Sequence, residues 1–481
     1  PDVDFNIRSG NTLIGYATET ELQNAFVGEL DFDNDTEKIK EKCDIVAKAF
    51  VRYKDIQLTY GDDYDKFKSA KDDLNKRLRT LNIELNELLQ KQTYPNIKYE
   101  KWLELYQPFH WFAEFYEIIH GKGGFDVVIG NPPYVGYNEQ KFDYKLINYT
   151  TIECKNLYAF CIERIFMITH NHSYLSMIVP ISIVGNNKMK SCVSLIKKNN
   201  IVWLSNYSGD THPGTLFSGV QQNLSIFVAS KGINTPKLFT SNFLRFNDGT
   251  NERDYLFLST VKYFDSDFNK EYILKIGSNM QFNIFKKILL KNKSFKNFDK
   301  IEKNYIYYHD VVHYWVKSFL EAPFFKRENE PPSISTHYKN VFCPDVLKKQ
   351  VVSILGSNLF YLWYVSKSNG RDFSKDDYLE FPIDFNEISK NKVINDKLKI
   401  TGELYINDLE KNRVRVEYNK KSGKVEYDQF WVENSKNILN DIDKVLAEHY
   451  GFTDEELDFI INYDIKYRMG KELEDEGGAD E

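Results

Sequence analysis

The stretch Phe125-Asp126-Val127-Val128-Ile129-Gly130-Asn131-Pro132-Pro133-Tyr134 decides the fold of this 481-residue chain. Its first five residues form a short, mostly apolar run that stops at a polar segment containing two prolines. A run of this kind is typical of a strand buried in a parallel sheet. The sequence therefore predicts a buried strand that delivers a loop at its carboxyl end, where open α/β sheets bind ligands.

The residues that follow alternate between helical and strand patterns. In chain order they predict a helix over 157–168, a strand over 174–179, a helix over 193–198, and strands over 201–206 and 223–228. A loop rich in Gly, Asp and His, at 209–214, separates the last two strands. Alternating strands and helices indicate a doubly wound parallel sheet.

A long segment upstream of this sheet is charged and helical in period. Residues 36–92 contain no proline and place leucines at three- and four-residue spacing, at Leu74, Leu78, Leu81, Leu85 and Leu88. This spacing predicts a long helical hairpin whose leucine stripe packs into a core. The hairpin is interpreted as a brace for the domain, and a contact with DNA or a partner is the alternative.

The alternation is lost beyond about Gly232. A lysine-rich stretch at 285–303 precedes an aromatic one at 305–314, and the residues from 437 to about 473 look helical with a break at Gly451. We therefore expect an α/β fold with three parts: an α/β domain over 1–234 with the helical insertion at about 36–95, an α+β domain over 235–430, and a helical segment with an acidic tail over 431–481.

Composition restricts the class of protein. Hydrophobic residues make up 42% and charged residues 28% of the chain, which is typical of a globular protein. The net charge of -7 means that any DNA contact must come from local basic patches. Five scattered cysteines without a CxxC pair favour a reducing cytosol. Neither a membrane span nor a metal cluster is expected from the sequence.

The motif Asn131-Pro132-Pro133-Tyr134 suits methyl transfer to an amine. The exocyclic amine of adenine is a poor nucleophile because its lone pair is delocalised into the ring. The side-chain carbonyl of Asn131 and the backbone carbonyl of Pro132 could accept its hydrogens, and Pro133 helps to hold the loop rigid. Tyr134 offers a flat face for a base rotated out of the duplex. The alternative is an ordinary proline-rich turn.

With Phe125–Gly130 before it, this motif resembles the adenine-N6 DNA methyltransferases of restriction-modification systems, specifically the fused type IIG-like enzymes. The resemblance implies a Rossmann-like methyltransferase sheet, followed by a target-recognition domain at 235–430 that reads double-stranded DNA. It also implies S-adenosylmethionine as methyl donor, a place in restriction-modification or a related phage defence, and a cytoplasmic location.

Further segments carry the resemblance to individual residues. In Asn6–Ile14, Asn11 stands where the family has an acidic residue that contacts the donor's adenine. Asn156-Leu157-Tyr158 resembles the motif that opens the helix after the catalytic loop, which makes Asn156 and Tyr158 candidates for the donor pocket. Leu216–Val220 resembles the second base-clamping loop, so Phe217 is the candidate for the opposite face of the flipped adenine. An ordinary core phenylalanine is the alternative for Phe217.

The carboxyl-terminal part also resembles these enzymes. Ser368–Phe373 and His449–Thr453 are similar to closing segments of their recognition regions. Arg371 and Lys375 are the candidates for contacts with DNA phosphates. The lysines between Lys286 and Lys303 suit a DNA-facing surface as a cluster, although a solvated position is the default for each of them.

One family motif has no counterpart in the sequence. A donor-binding sheet opens with a strand, a glycine-rich turn and a helix, yet Gly121–Gly124 precedes a strand instead of following one. The chain also begins Pro1-Asp2-Val3 without an initiator methionine. We therefore expect the sheet to be incomplete at its amino-terminal side, with an upstream polypeptide as a possible partner that completes it. A restriction nuclease is not visible.

Three functions remain open from the sequence. The first is site-specific methylation of adenine N6 in DNA. The second is a catalytically incomplete DNA-binding specificity fragment, which needs an upstream polypeptide to bind the donor. The third, methylation of RNA or of a protein amide by the same motif, is weaker because the long region after Gly232 suits duplex DNA.

Overall fold

The chain divides into two compact units. The first holds residues 1–183, 187–204 and 224–238, and the second holds 184–186, 205–223 and 239–481. The structure is a computed structural model, and it describes residues 6–25, 32–59, 63–138, 141–209, 215–217, 221–245, 261–268, 270–298, 304–312, 314–420 and 423–469.

Helices dominate the amino-terminal half of the first unit. They are α1 (Glu19–Ala25), α2 (Phe32–Thr59), α3 (Tyr64–Thr93), α4 (Tyr99–Tyr106) and α5 (Trp111–Glu114). Helices α2 and α3 pack against each other, which confirms the helical hairpin predicted for 36–92. All five leucines of the predicted stripe on α3 are buried. Asp63 caps α3 by accepting a hydrogen bond from the backbone N–H of Lys66 at 3.2 Å.

The sheet of the first unit follows this helical part. Its elements are β1 (Phe125–Gly130), α6 (Leu157–Met167), β2 (Thr169–Pro180), α7 (Lys190–Lys197), β3 (Asn200–Tyr207) and β4 (Leu224–Lys231). The strand order is β1-β2-β4-β3, and the last three residues of β3 belong to the second unit. Each helix and strand predicted over 125–228 is confirmed, with ends that differ by a few residues.

The sheet is mixed, so the prediction of a purely parallel sheet was wrong. Strand β1 runs parallel to β2, but β2 pairs with β4 in antiparallel fashion. Parallel neighbours need a crossover connection, usually a helix, whereas antiparallel neighbours do not. The described residues between β3 and β4 contain no helix. The alternating pattern of strand and helix therefore fails between β3 and β4; residues 210–214 of the predicted loop lie outside the described residues.

Strand β1 is an edge strand, which corrects the prediction that it is buried. Among the described residues its strand neighbour is β2 alone, and Val127 and Ile129 are 54% and 77% exposed. Tyr174, the β2 partner of Val127, is 52% exposed. A short apolar run has the same sequence pattern in a buried strand and in an exposed edge strand.

The two faces of this sheet have different environments. Leu175, Met177 and Val179 of β2 point to a packed face and are buried, as is Phe227 of β4. The opposite face carries Val127, Ile129 and Tyr174, all exposed. Parallel strands are normally covered on both faces. The first unit therefore has a bare apolar face beside β1.

A buried arginine ties the residues around α1 to α6. Arg164 donates to the hydroxyl of Tyr149 at 2.7 Å, to the carboxylate of Glu21 at 2.9 Å and to the carbonyl of Leu13 at 3.1 Å. Its side chain is only 4% exposed. A buried charge is stable only when it is paired and hydrogen-bonded. This network holds the residues before α1 against the helix that follows the motif.

A buried histidine links the same segment to the helical hairpin. His110 accepts a hydrogen bond from the backbone N–H of Tyr16 at 3.1 Å, and its other ring nitrogen lies 3.0 Å from Asn86 Oδ1. Burial, together with the charge of Arg164, lowers the pKa of His110 to about 3. The ring is therefore neutral and can accept at one nitrogen while it donates at the other.

The second unit is a mixed helical and strand structure. Its strands are β5 (Lys237–Leu244, from Phe239 onward), β6 (Phe264–Asp265), β7 (Tyr305–His309), β8 (Ser318–Phe319), β9 (Phe325–Arg327), β10 (Tyr338–Phe342), β11 (Val414–Lys420) and β12 (Gly423–Gln429). Two three-stranded sheets have the orders β10-β7-β8 and β11-β12-β9. The pair β5 and β6 is antiparallel.

The helices of the second unit surround one buried helix. They are α8 (Asn279–Ile288), α9 (Lys348–Gly356), α10 (Asn358–Lys367), α11 (Lys375–Leu379), α12 (Phe385–Lys390), α13 (Lys392–Lys411), α14 (Lys436–Tyr450), α15 (Asp454–Asn462) and α16 (Ile465–Arg468). Every residue of α10 is buried. Helix α14 ends at Gly451, whose φ of 69° confirms the break predicted there. None of the described helices is long and apolar enough to cross a membrane.

The lysines between Lys286 and Lys303 are mostly neutralised within the second unit. Lys287 binds Glu456 at 2.6 Å, Lys293 binds Asp384 at 3.3 Å, and Lys296 binds Glu380 at 2.6 Å. Lys291 pairs with Glu387 in the same way. Four of the described lysines of this stretch thus have an acidic partner within the second unit, and the DNA-facing role of the cluster stays a prediction.

The Arg164 network generates a prediction about stability. Arg164→Leu should lower the free energy of unfolding by about 3 kcal/mol or more, because it leaves the Glu21 carboxylate and the Leu13 carbonyl without their partner. Urea titration followed by circular dichroism measures this change. Arg77→Leu is the matched control, since its pair with Asp73 is exposed to solvent and should contribute far less. Equal losses in both variants would contradict the assigned role of Arg164.

Candidate active site

The motif lies directly after β1, where the chain leaves the sheet. Gly130, the last residue of β1, pairs with Met177 of β2. Asn131 and Pro133 are exposed, Pro132 is buried and Tyr134 is half-buried. Buried Pro132 anchors the loop and its fixed φ limits the backbone. The loop at the carboxyl end of β1 therefore presents the side chain of Asn131 outward.

Two hydrogen-bond acceptors in this loop are available to a ligand. In the part of the chain that the structure describes, no donor lies within hydrogen-bond distance of the Asn131 side chain or of the Pro132 carbonyl. Backbone carbonyls in folded proteins are usually paired with a donor or with water. The unpaired carbonyl next to an exposed amide thus forms a pair of acceptors that a bound amine could fill.

Tyr134 is held in place by the neighbouring strand. Its hydroxyl donates to the backbone carbonyl of Ile178 in β2 at 3.1 Å. Partial burial raises the pKa of Tyr134, so the phenol keeps the proton that this hydrogen bond requires. The hydrogen bond fixes one end of the side chain against the sheet while the residue stays half-exposed.

The exit of the loop is fastened to the start of α6. Val135 accepts a hydrogen bond from the backbone N–H of Leu157 at 2.9 Å, and Tyr137 donates to the carbonyl of Lys155 at 2.9 Å. Lys155 has a left-handed conformation with φ of 49°, which allows the chain to turn into the helix. Both ends of the motif are therefore fixed, one by the sheet and the other by α6.

Glu163 on α6 holds the loop before the helix. Its buried carboxylate accepts hydrogen bonds from the backbone and the hydroxyl of Thr150, at 2.9 and 2.8 Å, and from the backbone and the hydroxyl of Thr151, at 2.9 and 2.6 Å. Both oxygens are thus fully used, which compensates for the burial of the charge. Glu163 acts as a positioning residue for the segment between the motif and α6.

The candidate donor-binding residues on α6 make contacts within the protein. Asn156 caps the helix by accepting from the backbone N–H of Tyr158 at 3.3 Å. Tyr158 is fully buried, and its hydroxyl lies 2.9 Å from Ser182 Oγ and 3.2 Å from Met189 Sδ. Burial raises the pKa of Tyr158 well above its usual range. Their assignment to a donor pocket stays a prediction.

Asn11 has a comparable position in the segment before α1. Its side-chain oxygen accepts from the backbone N–H of Leu13 at 3.2 Å, and its backbone N–H donates to the carbonyl of Gln107 at 2.7 Å. These contacts stabilise a turn. The role that the resemblance implies for Asn11 stays a prediction as well.

The remaining candidates lie in the second unit. Phe217 is 48% exposed and its carbonyl accepts from the Thr215 hydroxyl at 2.8 Å, whereas Ser218–Val220 lie outside the described residues. Arg371 is exposed in a turn built on Asn369, which accepts from the Arg371 backbone N–H at 2.9 Å. Lys375 is exposed at the start of α11. Their roles in base stacking and phosphate binding stay predictions.

Glu163 and Arg164 hold the surroundings of the motif together, and neither was predicted from the sequence. A signal for them exists in the chain. They are the only charged residues within the apolar sequence of α6, Leu157–Met167, and a charge on an otherwise apolar helix indicates a buried network. Among the described residues, no group of three or more His, Cys, Asp or Glu side chains could hold a metal ion.

Comparison with protein families gives one match. Residues 27–212 match the family described as Eco57I restriction-modification methylase. This range contains β1, the Asn131–Tyr134 motif and α6, so the candidate site lies inside a stretch that is similar to a restriction-modification methylase domain. The comparison with curated proteins finds no match.

Several solved structures are distantly similar. The type IIL restriction-modification enzyme MmeI, solved with DNA, is 10% identical over 81% of this chain and 64% of its own, with a TM-score of 0.37. The type IIG restriction endonuclease BpuSI is 12% identical over 68% of this chain and 54% of its own, with a TM-score of 0.23. The type ISP enzyme LlaGI, solved with a DNA substrate mimic, is 15% identical over 42% of this chain and 22% of its own, with a TM-score of 0.29. The chain thus spans less than two thirds of each.

The Glu163 contacts generate a prediction about local stability. Glu163→Gln should speed hydrogen exchange at the amides of Thr150 and Thr151, because an uncharged amide with one acceptor oxygen cannot replace both pairs of hydrogen bonds. We expect a loss of about 2 kcal/mol in protection, measured by exchange with mass spectrometry. Glu153→Gln, at an exposed glutamate nearby, is the control and should leave exchange unchanged. Unchanged exchange in Glu163→Gln would refute the positioning role.

Proposed function

We propose that this chain methylates N6 of adenine at specific sites in double-stranded DNA, with S-adenosylmethionine as donor, as the modification part of a restriction-modification or related phage-defence system. The observation that carries the proposal is the pair of unpaired acceptors, Asn131 and the Pro132 carbonyl, at the carboxyl end of β1. The match of residues 27–212 to a restriction-modification methylase family supports DNA methylation as the class of activity.

The two acceptors suit the chemistry of the amine. An N6 amine held with both hydrogens directed at Asn131 Oδ1 and the Pro132 carbonyl loses conjugation with the ring, and its lone pair becomes available for attack. The fixed loop aims these acceptors before the substrate arrives, so little reorganisation is needed in the transition state. Asn131 would thus contribute more to the transition state than to the binding of DNA.

Tyr134 is proposed to stack on the adenine once the base has left the duplex. Its hydrogen bond to Ile178 fixes the ring while the residue remains half-exposed, which suits a stacking partner. Phe217 is proposed as the second aromatic residue, because its side chain is 48% exposed. Arg371 and Lys375 are proposed to contact DNA phosphates, since both are exposed cations in the second unit.

The side chains of Asn11, Asn156 and Tyr158 already make hydrogen bonds within the protein, so they offer few free groups to a ligand. We propose that a further polypeptide layer, encoded upstream, binds the bare face beside β1 and supplies the donor site. The exposure of Val127, Ile129 and Tyr174 supports this part of the proposal, because exposed apolar faces are typical of binding surfaces.

A second candidate function follows from the same bare face. Without a donor site the chain would bind DNA and transfer nothing, as a specificity fragment. The two candidates differ in one measurable property, which is methyl transfer in the presence of the upstream polypeptide.

The first test is transfer of labelled methyl from S-adenosylmethionine to unmodified DNA, by this chain alone and mixed with the upstream polypeptide. We expect label in adenine, and Asn131→Ala should reduce transfer at least about 100-fold while DNA affinity stays nearly constant. Asn96→Ala, at an exposed asparagine away from the motif, is the control. Label absent from both mixtures would favour the specificity fragment, and a parallel loss of binding in Asn131→Ala would refute the role of Asn131.

The second test concerns Tyr134. Tyr134→Ala should lower transfer to a fully paired site by roughly 10-fold, since one stacked ring is lost. The loss should be smaller when the target adenine is mismatched, because that base is already partly unstacked. Single-turnover rates on both substrates measure the difference. Tyr134→Phe keeps the ring and removes only the hydrogen bond to Ile178, so it should retain most activity. If Tyr134→Phe loses as much activity as Tyr134→Ala, the effect belongs to that hydrogen bond and not to stacking.

A further inference from the structure

The second unit has an aromatic face on strands β7 and β10. The strands are antiparallel, and their register pairs Tyr305 with Phe342, Tyr307 with Asn340 and His309 with Tyr338. Side chains alternate along a strand and directly opposed residues share a face, so these six residues lie on one side of the sheet. The residues between them on β7, Ile306 and Tyr308, point to the other side and are buried. We call the first side the aromatic face.

Three rings of the aromatic face have no stacking partner among the described residues. Tyr305 is 39% exposed, and Tyr307 and Phe342 are partly exposed. Within the described part of the chain, none of these three rings contacts another aromatic ring. Neither tyrosine hydroxyl makes a hydrogen bond there. Tyr308 on the opposite side, by contrast, packs against Phe373 at 4.6 Å between ring centroids. The three rings are therefore available to a flat ligand.

A cavity adjoins this face at the end marked by Phe342. Its volume is about 1080 Å³, at the upper end of the range for ligand pockets. Phe342 and Phe298 line it as apolar surfaces, and the exposed side-chain amide of Asn386 lines it as a polar one. An amide that both donates and accepts can match the hydrogen-bonding edge of a nucleobase, as asparagine does with adenine. The cavity thus combines aromatic surfaces with one amide that suits the edge of a base.

The charges beside the cavity balance one another. Lys293 pairs with Asp384 at 3.3 Å, and Lys348 pairs with Asp345 at 3.1 Å. Phosphate sites need an excess of positive charge, because the backbone of DNA dominates affinity through its charge. The cavity therefore offers no excess of positive charge to a phosphate, and its contribution to the site is apolar and amide surface.

We propose that the aromatic face and this cavity form a second DNA site, which binds bases that are unstacked from the duplex. The site differs from the Asn131–Tyr134 motif, which lies in the first unit. The inference rests on the proposed function for the identity of the nucleic acid as DNA. Stacking on successive tyrosines captures the bases with little regard to sequence, and the Asn386 amide at the cavity adds a hydrogen-bonding group for a base edge.

The test measures binding without the methyl donor. A single-stranded oligodeoxynucleotide containing 2-aminopurine, and the same sequence as a paired duplex, are titrated with the full chain. We expect quenching of the single strand, since 2-aminopurine loses fluorescence when it stacks. The double variant Tyr305→Leu with Tyr307→Leu should weaken single-strand binding by roughly 10-fold or more and change duplex binding less.

Two matched variants make the result specific. The double variant Tyr305→Phe with Tyr307→Phe keeps the rings and should bind like the parent. Tyr418→Leu removes a tyrosine that is 57% exposed on β11, in another sheet of the same unit, and should also bind normally. Equal single-strand affinity of the parent and the leucine double variant would overturn the inference, as would an equal loss in Tyr418→Leu.

Failure of this inference can be distinguished from failure of the proposed function. A parent chain that binds duplex DNA but loses nothing in the leucine double variant refutes the second site alone. A parent chain that binds neither the single strand nor the duplex refutes DNA as the partner, and with it the proposed function.

Discussion

The parallel pairing of β1 with β2 is the interaction on which the candidate site depends. It sets where the chain leaves the sheet at Gly130, and therefore where Asn131 and the Pro132 carbonyl are presented. The same neighbour supplies the carbonyl of Ile178 that holds Tyr134. Because β1 has a neighbour on only one side, its position relies on a single ladder of hydrogen bonds. An edge strand of this kind has free backbone groups and favours further pairing.

Buried charges organise the surroundings of this strand. Glu163 and Arg164 are adjacent on α6 and bind different segments of the chain. The Glu163 carboxylate binds Thr150 and Thr151, which follow the motif. The Arg164 guanidinium binds the carbonyl of Leu13, before α1. Each is fully hydrogen-bonded, which is the condition under which a buried charge is tolerated. Such a network stabilises one arrangement of loops more than it stabilises the fold as a whole, because any other arrangement leaves a charge unpaired.

In the second unit, the paired lysines and the exposed aromatic face lie on different elements. Its lysines from Lys287 to Lys296 are used in ion pairs with residues far away in the chain, such as Glu456. Three of its partly exposed aromatic residues, Tyr305, Tyr307 and Phe342, instead share one face of β7 and β10, beside a neutral cavity. A surface of this kind has more in common with the recognition of bases than with attraction to phosphates, which accords with the net charge of -7.

The sequence by itself determined the helical hairpin, the strands and helices of the sheet and the break at Gly451, because period, turn residues and helix caps are local properties. It also located the Asn131–Tyr134 motif at the end of a strand. Only the tertiary structure decided that β4 runs antiparallel to β2, that β1 is an edge with a bare face, and that the lysines near Lys287 are paired. These features depend on contacts between residues distant in sequence, and an apolar run or a basic stretch has the same pattern whether or not a partner covers it.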